Sequence, residues 1–462
     1  MDNRTDRRPA RVGESAVVIG ASMAGLCAAR VLADRFEHTT VLDRDDLPDT
    51  PTWRRHVPQG RHPHLLLAGG ARLLEGWFPG IIDQLYDGGA VEVDLCADLY
   101  WHQGGGLFRR PPSSLKGPSM SRPFLEWTVR QRLASNPAIN IRGSTAADGL
   151  ELDPTGVRVV AVQLEGGETI PCDLVVDATG RQARSLSWLA ALGYPEPEIS
   201  RVEIHTHYLT QELGRTEQPH RGWKAAGVID DPTAKRLAMA LPIEGDRWLL
   251  VFGGVHGETA PADYDQRLAY AKTLPAPVIA DILEASEPLG DSVTHKFPAS
   301  QRRHIERLKR FPLGWVAIGD AIGSFNPIYG QGMTSAALEA AALGAALDRG
   351  RAVDRSFARR YFKAASRVVT VAWSTAVGSD FAYAETTGPK PPGTDLVNRY
   401  MDRVVVAAQH DNTVALRFNE VLAMVRRPES LMAPRFVLRA LRASGRRRRP
   451  GADAVRLAEA AR

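Results

Sequence analysis

Ser15-Ala16-Val17-Val18-Ile19-Gly20-Ala21-Ser22-Met23-Ala24-Gly25 is the stretch on which the fold turns. Its first half is a short apolar run, rich in β-branched residues, that ends in glycine; such a run predicts a buried parallel strand. From Met23 the period changes. Met23, Leu26, Cys27, Ala28, Val31 and Leu32 form an apolar stripe at helical spacing, which predicts a helix over 23–36. Thr39 to Leu42 reads as a second strand, and Asp43 follows at once. Strand, glycine turn, helix and strand in this compass make a βαβ unit.

Gly20-Ala21-Ser22-Met23-Ala24-Gly25 aligns with the dinucleotide fingerprint GxGxxG, with Ser22 at the second glycine position. Gly20 permits the tight turn, and Gly25 lets the helix pack closely on the strand. Ser22 is a small hydrogen-bonding substitute that still admits a phosphate. The first helical turn, at Met23 and Ala24, then aims free amides at a pyrophosphate. Asp43 stands where a carboxylate accepts ribose hydroxyls, and it would repel a 2′-phosphate, so NADP is not expected in this site.

Two further strand–glycine turns occur downstream. Gly314-Trp315-Val316-Ala317-Ile318-Gly319-Asp320 ends in an acid that suits ribityl or ribose hydroxyls. It is followed by Asn326-Pro327-Ile328-Tyr329-Gly330-Gln331-Gly332-Met333, which leads into an alanine-rich helix from Thr334 to Leu347. That helix N-terminus would favour negative charge, as on the pyrimidine edge of a reduced flavin. Asp173-Leu174-Val175-Val176-Asp177-Ala178-Thr179-Gly180-Arg181 is the third such turn, and it places Gly180 beside the nucleotide. Dinucleotide-like turns in opposite halves of the chain suit one FAD held at both ends. The expected contacts are therefore Gly20, Ser22, Met23, Ala24, Gly25, Asp43, Gly180, Gly319, Asp320, Pro327, Gly330, Gly332 and Met333.

Between these turns the chain reads as follows. A loop over 44–64 precedes a helix from Leu65 to Trp77; three consecutive glycines and two consecutive prolines mark 104–118 as a loop or lid; Arg122 to Leu133 is helical. Val157–Leu164 and Thr169–Val176 read as a hairpin around Glu165-Gly166-Gly167-Glu168. Antiparallel strands are expected over 201–255, where Val202 to Leu209 alternates, and helices dominate after 333 apart from a break near 387–395. At 462 residues, two or three domains are expected.

Composition narrows the function. No run of eighteen apolar residues predicts a membrane span, and the polar first fourteen residues lack the apolar segment of a secretory signal. Cys27, Cys96 and Cys172 are odd in number and widely spaced, which fits unpaired thiols and a cytoplasmic location. The net charge of +5 is mild, and its one dense cluster, Arg446 to Arg449, lacks interleaved aromatics, so a nucleic-acid partner is not expected. His56, His62 and His64 have metal-ligand spacing, but no Cys, Asp or Glu follows Asp49 in that stretch to complete a site; no metal is predicted. No GxSxG supports hydrolysis. His207, Tyr208 and Trp373 are candidates for a substrate pocket, and Asp380 and Tyr383 are expected on the same helical stretch as Trp373.

From about residue 14 to 440 the chain resembles FAD-dependent oxidoreductases of the aromatic hydroxylase and epoxidase type. The resemblance is strongest to flavin-dependent epoxidases of polyether polyketide biosynthesis. It rests on Val17–Gly25, Val57-Pro58-Gln59-Gly60-Arg61-His62-Pro63-His64, Asp177–Arg181, Pro242-Ile243-Glu244-Gly245-Asp246-Arg247-Trp248 and Phe325–Met333. It implies an α/β fold: a Rossmann-like FAD domain over 12–80, 118–195 and 300–350, an inserted β-rich substrate domain over 81–117 and 196–299, and a helical C-terminal region over 351–462. It also implies that Arg130 contacts the adenosine-diphosphate moiety, and it puts Arg44, Arg55 and Gln59 on the cofactor. The chain departs from the phenol hydroxylases of this fold at Gly323, where they carry His. Thr179, Ala183 and Leu186 replace the Asp, Ser and Arg of a stretch that positions nicotinamide. The halogenase motif Trp-x-Trp-x-Ile-Pro is absent.

The activity implied is that of an FAD-dependent monooxygenase, an epoxidase tailoring a hydrophobic polyketide-like metabolite in antibiotic biosynthesis through a flavin C4a-hydroperoxide. Its partners would be O₂ and NAD(P)H or a separate flavin reductase. An alternative is the related FAD-containing (4+2) cyclase of spirotetronate biosynthesis, in which flavin is structural; a third is a geranylgeranyl-reductase-like enzyme.

Overall fold

A computed structural model describes residues 11–216 and 222–445, so the arginine cluster at 446–449 lies outside the described residues. Five parallel strands form one sheet, in the spatial order Trp315–Ala317, Leu174–Asp177, Gly13–Ile19, Phe36–Leu42 and Ile139–Arg142. The helix Met23–Ala33 crosses between the two strands of the βαβ unit and packs beside the Gly332–Gly350 helix. Val17, Val18, Leu26, Leu32, Val175 and Val316 are wholly buried in the resulting core. Burial on both faces explains why these strands read as unbroken apolar runs.

The hairpin expected over 157–176 is divided. Val159–Leu164 pairs antiparallel with Thr169–Pro171, whereas Leu174–Asp177 leaves to run parallel between Gly13–Ile19 and Trp315–Ala317. Two residues make the break: Pro171 has no N–H to extend the ladder, and the Asp173 carboxylate accepts from the amides of Glu14 and Ser15, tying the chain to the other sheet. The first helix is also shorter than its stripe, since Phe36 already begins the second strand.

A second, eight-stranded sheet runs in the order Gly323–Ser324, Val293–Arg303, Ile199–Gly214, Arg247–Gly254, Arg236–Ile243, Ala225–Ile229, Leu99–Gln103 and Gly106–Leu107. Residues 104–118 are thus held by an edge strand and by the Lys116–Ser119 strand rather than hanging free as a lid. Alternation sorts the sheet's two faces. Ala238, Ala240, Leu250 and Phe252 pack under the helices Tyr264–Lys272 and Val278–Glu284, while Leu237, Met239, Leu241 and Val251 turn the other way. The Gly323–Ser324 strand matters most for position. Within a few residues of leaving the parallel sheet at Ala317, the chain joins the edge of the large sheet at Arg302. The helices Arg355–Asp380, Thr394–Ala408, Asn412–Leu422 and Pro434–Ser444 close the described chain. Among the described residues no helix is long and apolar enough to cross a membrane.

Candidate functional site: a groove opening into an apolar chamber

The two fingerprint glycines are required by contact. A Cβ on Gly25 would lie 1.8 Å from the Gly20 carbonyl oxygen, and one on Gly20, which has φ +112°, would lie 2.4 Å from the Ala178 carbonyl. Glycine at both places lets the helix rest directly on the strand end. No side chain caps this helix and no acid stands in its first turn, so its N-terminus is electrostatically open to an anion.

A buried charge network backs this turn. The Ser22 hydroxyl donates to Glu126 at 2.6 Å and accepts from Arg122 at 2.6 Å. Arg122 also donates through Nε to Glu126 at 2.9 Å, Arg54 donates to the other Glu126 oxygen at 3.0 Å, and Arg54 reaches Asp43 at 2.8 Å. Burial alone would raise the Glu126 carboxyl, but the Arg122 and Arg54 guanidiniums and the Ser22 hydroxyl outweigh it and hold it at about 2. The helix carrying Arg122 and Glu126 is itself fixed at its start: Ser121 donates from its amide and its hydroxyl to Glu244, at 2.9 and 2.5 Å. This gives the Pro242–Trp248 segment a structural task.

At the far end of the groove, the Gly319 amide donates to Glu339 at 2.8 Å, and Ser335 donates to the same carboxyl at 2.9 Å. Burial pushes Glu339 up to about 8 against those bonds, and burial likewise raises neighbouring Asp320. The Asn326–Gly330 turn is clamped by side chains. Tyr208 donates to Asn326 Oδ1 at 2.8 Å, while Asn326 and Tyr329 donate to Asp380 at 2.9 and 3.2 Å. The Gly332–Gly350 helix then starts with no side-chain cap and no acid in its first turn, a second open N-terminus on the groove.

Between these ends runs a groove of about 600 Å³, which shares Gln59, His64, His295 and Tyr329 with a chamber of about 170 Å³. The chamber lies under the free face of the large sheet, walled by Leu99, Trp101, Leu237, Met239 and Val251 among others.

No family model matches the chain. It is 34% identical over 427 residues to Protein Rv3254 of Mycobacterium tuberculosis, a match covering 88% of this chain and 89% of the relative. The chain belongs to the Rv3254 family. It is also 27% identical over 359 residues, 70% of each chain, to kynurenine 3-monooxygenase of Salinispora arenicola. Among solved structures it is similar to PqsL, a probable FAD-dependent monooxygenase from Pseudomonas aeruginosa, with TM-score 0.57, 18% identity and coverage of 80% of this chain and 98% of the other. It is also similar to the Diels-Alderase PyrE3 of pyrroindomycin biosynthesis, with TM-score 0.60, 16% identity and coverage of 89% and 80%. This Rv3254-family chain therefore has the fold of the FAD-dependent aromatic hydroxylases, with a parallel-strand sheet and a helical C-terminal region.

In this Rv3254-family member, Gly20, Ser22, Met23, Ala24, Asp43, Arg44, Gln59, Gly180, Gly319, Asp320, Pro327, Gly330, Gly332 and Met333 all line the groove. Gly25 stands one layer behind, in the helix–strand contact. Arg55 is exposed and off the groove, and Arg130 is buried behind its wall, where it donates to the Pro48 carbonyl. Tyr208 lines the chamber; His207, next to it on the strand, faces away on the side of Leu209. Trp373 packs against Val202 and Val377, outside both cavity walls, and Tyr383 falls beyond the end of the helix that carries Trp373 and Asp380. The three cysteines are buried and unpaired, and no cluster of metal-ligating side chains occurs among the described residues. Arg54, Arg122, Glu126, His295 and Glu339 were not anticipated as site residues. Arg122 and Glu126 carried a signal, an ion pair at i,i+4 on a predicted helix; Arg54 sat in a loop without periodicity.

Proposed function

We propose that this chain is an FAD-dependent monooxygenase that inserts one oxygen atom into a largely apolar, polyketide-like substrate, by epoxidation of an alkene. The observation that carries this reading is the junction: the Asp320–Met333 end of the groove and the apolar chamber share one wall. Three features of the groove fit FAD. Two helix N-termini are open where a pyrophosphate and an electron-rich ring need positive potential. Asp43 takes two donors on Oδ2, from Ala21 and Arg54, and one on Oδ1, from Asp45, which leaves an acceptor position for a ribose hydroxyl. Arg122, on the groove wall, supplies a fixed cation.

FAD, when bound and reduced by an external donor, would supply the electrons and the oxygen activation. The chain's own residues bind, orient and exclude water. Apolar walls keep the chamber dry, and the Tyr208–Asn326–Asp380 bonds hold the turn that forms its floor. Both tyrosine hydroxyls at the junction already donate, Tyr208 to Asn326 and Tyr329 to Asp380, so neither stands ready to take a proton from a phenol. An alkene needs no base, so epoxidation asks nothing of these hydroxyls. The kynurenine 3-monooxygenase relative supports oxygen insertion as the class of reaction.

Leu186, where the nicotinamide-positioning arginine would fall, packs against the hydrophobic core instead. This supports electron delivery by a separate flavin reductase or a transiently bound NAD(P)H. It also supports a second reading, a (4+2) cyclase whose flavin never turns over. The test supplies the flavin-loaded protein with a reductase, NADH and ¹⁸O₂, and offers styrene and conjugated polyenes as substrates. One O₂ consumed and one labelled atom gained per product is expected. Conversion at unchanged mass, without O₂ uptake, would replace the monooxygenase with the cyclase.

A further inference from the structure

Among the described residues, the chamber wall carries no Asp, Glu, Lys or Arg. Its ionisable side chains are His62, His64, His295, Tyr208 and Tyr329. Hydrogen bonding fixes the state of His64. Nδ1 lies 2.8 Å from the His62 carbonyl, which only accepts, and Nε2 lies 3.2 Å from the Arg122 guanidinium, which only donates. Nδ1 therefore carries the hydrogen, Nε2 accepts, and the ring is neutral with both nitrogens occupied. Burial, then Arg122, hold His64 down at about 3.

His62 differs. Its Nδ1 is 2.7 Å from the Thr210 hydroxyl, and its ring stands 5.3 Å from that of His295. Yet Nε2 is buried without a partner, the one such atom in the chamber wall among the described residues, on a side chain that is only 8% exposed. Burial, then His295 and Arg61, keep this ring neutral, at about 4. His295 is lowered as well, by burial and then by Arg181. A carboxylate entering this space would leave water and find no Lys or Arg in the wall, which disfavours it. The Thr210 hydroxyl can donate to Nδ1, which puts the ring hydrogen on Nε2, where a neutral carbonyl or hydroxyl oxygen would accept it and complete the ring's hydrogen bonding.

We infer that the chamber selects an uncharged, largely apolar substrate whose single carbonyl or hydroxyl oxygen pairs with Nε2 of His62, and that it rejects amino acids such as kynurenine. This rests on the reading of the chamber as the substrate site. His62 is thus a specificity-determining residue of the proposed reaction.

The test is calorimetric titration of the flavin-loaded protein with two probes that share an aminophenyl ketone. L-Kynurenine carries the charged amino-acid tail, and 2-aminoacetophenone lacks it. The neutral ketone is expected to bind at least tenfold more tightly. His62→Phe is expected to weaken the ketone about tenfold while leaving 2-ethylaniline, which has no carbonyl, within about twofold; His62→Gln, which keeps a donor and an acceptor, restores most of the loss. Equal or tighter binding of kynurenine overturns the inference, as does no heat with the ketone at millimolar concentration. Unchanged ketone affinity in His62→Phe overturns the role of His62, and if that variant fails to fold, His62→Leu, which also lacks a hydrogen-bonding group, makes the same comparison. Because the titration reads binding without turnover, an absence of ¹⁸O incorporation alongside this binding pattern would refute the reaction and leave the chamber's selectivity standing.

Discussion

Glu126 has less than a tenth of its side chain exposed and faces two guanidiniums and a hydroxyl. Replacing it by glutamine leaves Arg54 and Arg122 buried without their shared counter-charge. Breaking a buried pair in this way costs about 3–5 kcal/mol, so urea titration of Glu126→Gln at pH 7 should show a loss near the lower end of that range. The loss has a defined pH window. A carboxyl held at about 2 in the folded chain, against an ordinary value of 4.5, stabilises fully above 4.5 and loses that contribution as pH falls towards 2. The gap between native protein and variant should therefore close across that interval, and a gap that stayed constant there would contradict the ionised network. At this scale the sequence was only partly legible. Ser22 is legible as a small residue that admits a phosphate, but not as a hydroxyl that also joins Glu126 to Arg122. Nothing local announces that Arg54 will meet a helix that begins at Arg122, because the contact is made by the fold.

The element proposed to hold the nucleotide is the strand–turn–helix from Gly13 to Ala33. It was legible because its determinants are local: a β-branched run, glycines at fixed spacing and a stripe at helical period. Gly25 is its tightest contact. A methyl group there would overlap the Gly20 carbonyl, which belongs to backbone and has nowhere to go. Gly25→Ala should therefore push the helix off the strand. The expected outcome is protein without yellow colour, measured as the ratio of flavin to protein absorbance, and a variant retaining full flavin would contradict this packing. Elements made by distant pairing were harder to read. Leu174–Asp177 looked like the continuation of a hairpin because its true neighbours, Gly13–Ile19 and Trp315–Ala317, lie far off in sequence. The edge strand Gly106–Leu107 was hidden in a glycine-rich stretch for the same reason.

For the whole molecule, the groove draws its wall from segments scattered between Ile19 and Ala376. The motifs gave the glycine and aspartate positions, but not the wall that joins groove to chamber, since that depends on how two sheets meet. A ligand that bridges such segments stabilises them together. FAD at a hundred times its dissociation constant should add about 2.7 kcal/mol to the unfolding free energy. Scanning calorimetry is expected to show one transition that moves upward as free FAD rises; two transitions, of which only one moves, would mean that the sheets unfold independently. The short Gly323–Ser324 strand bears on inheritance as well as stability. It belongs to the large sheet, yet it sits between a strand of the parallel sheet and the helix that closes the groove. No pair of cuts therefore releases the chamber as a cassette while leaving the parallel-sheet half whole. In this chain a change of substrate is therefore expected through side chains of the wall and not through exchange of a module.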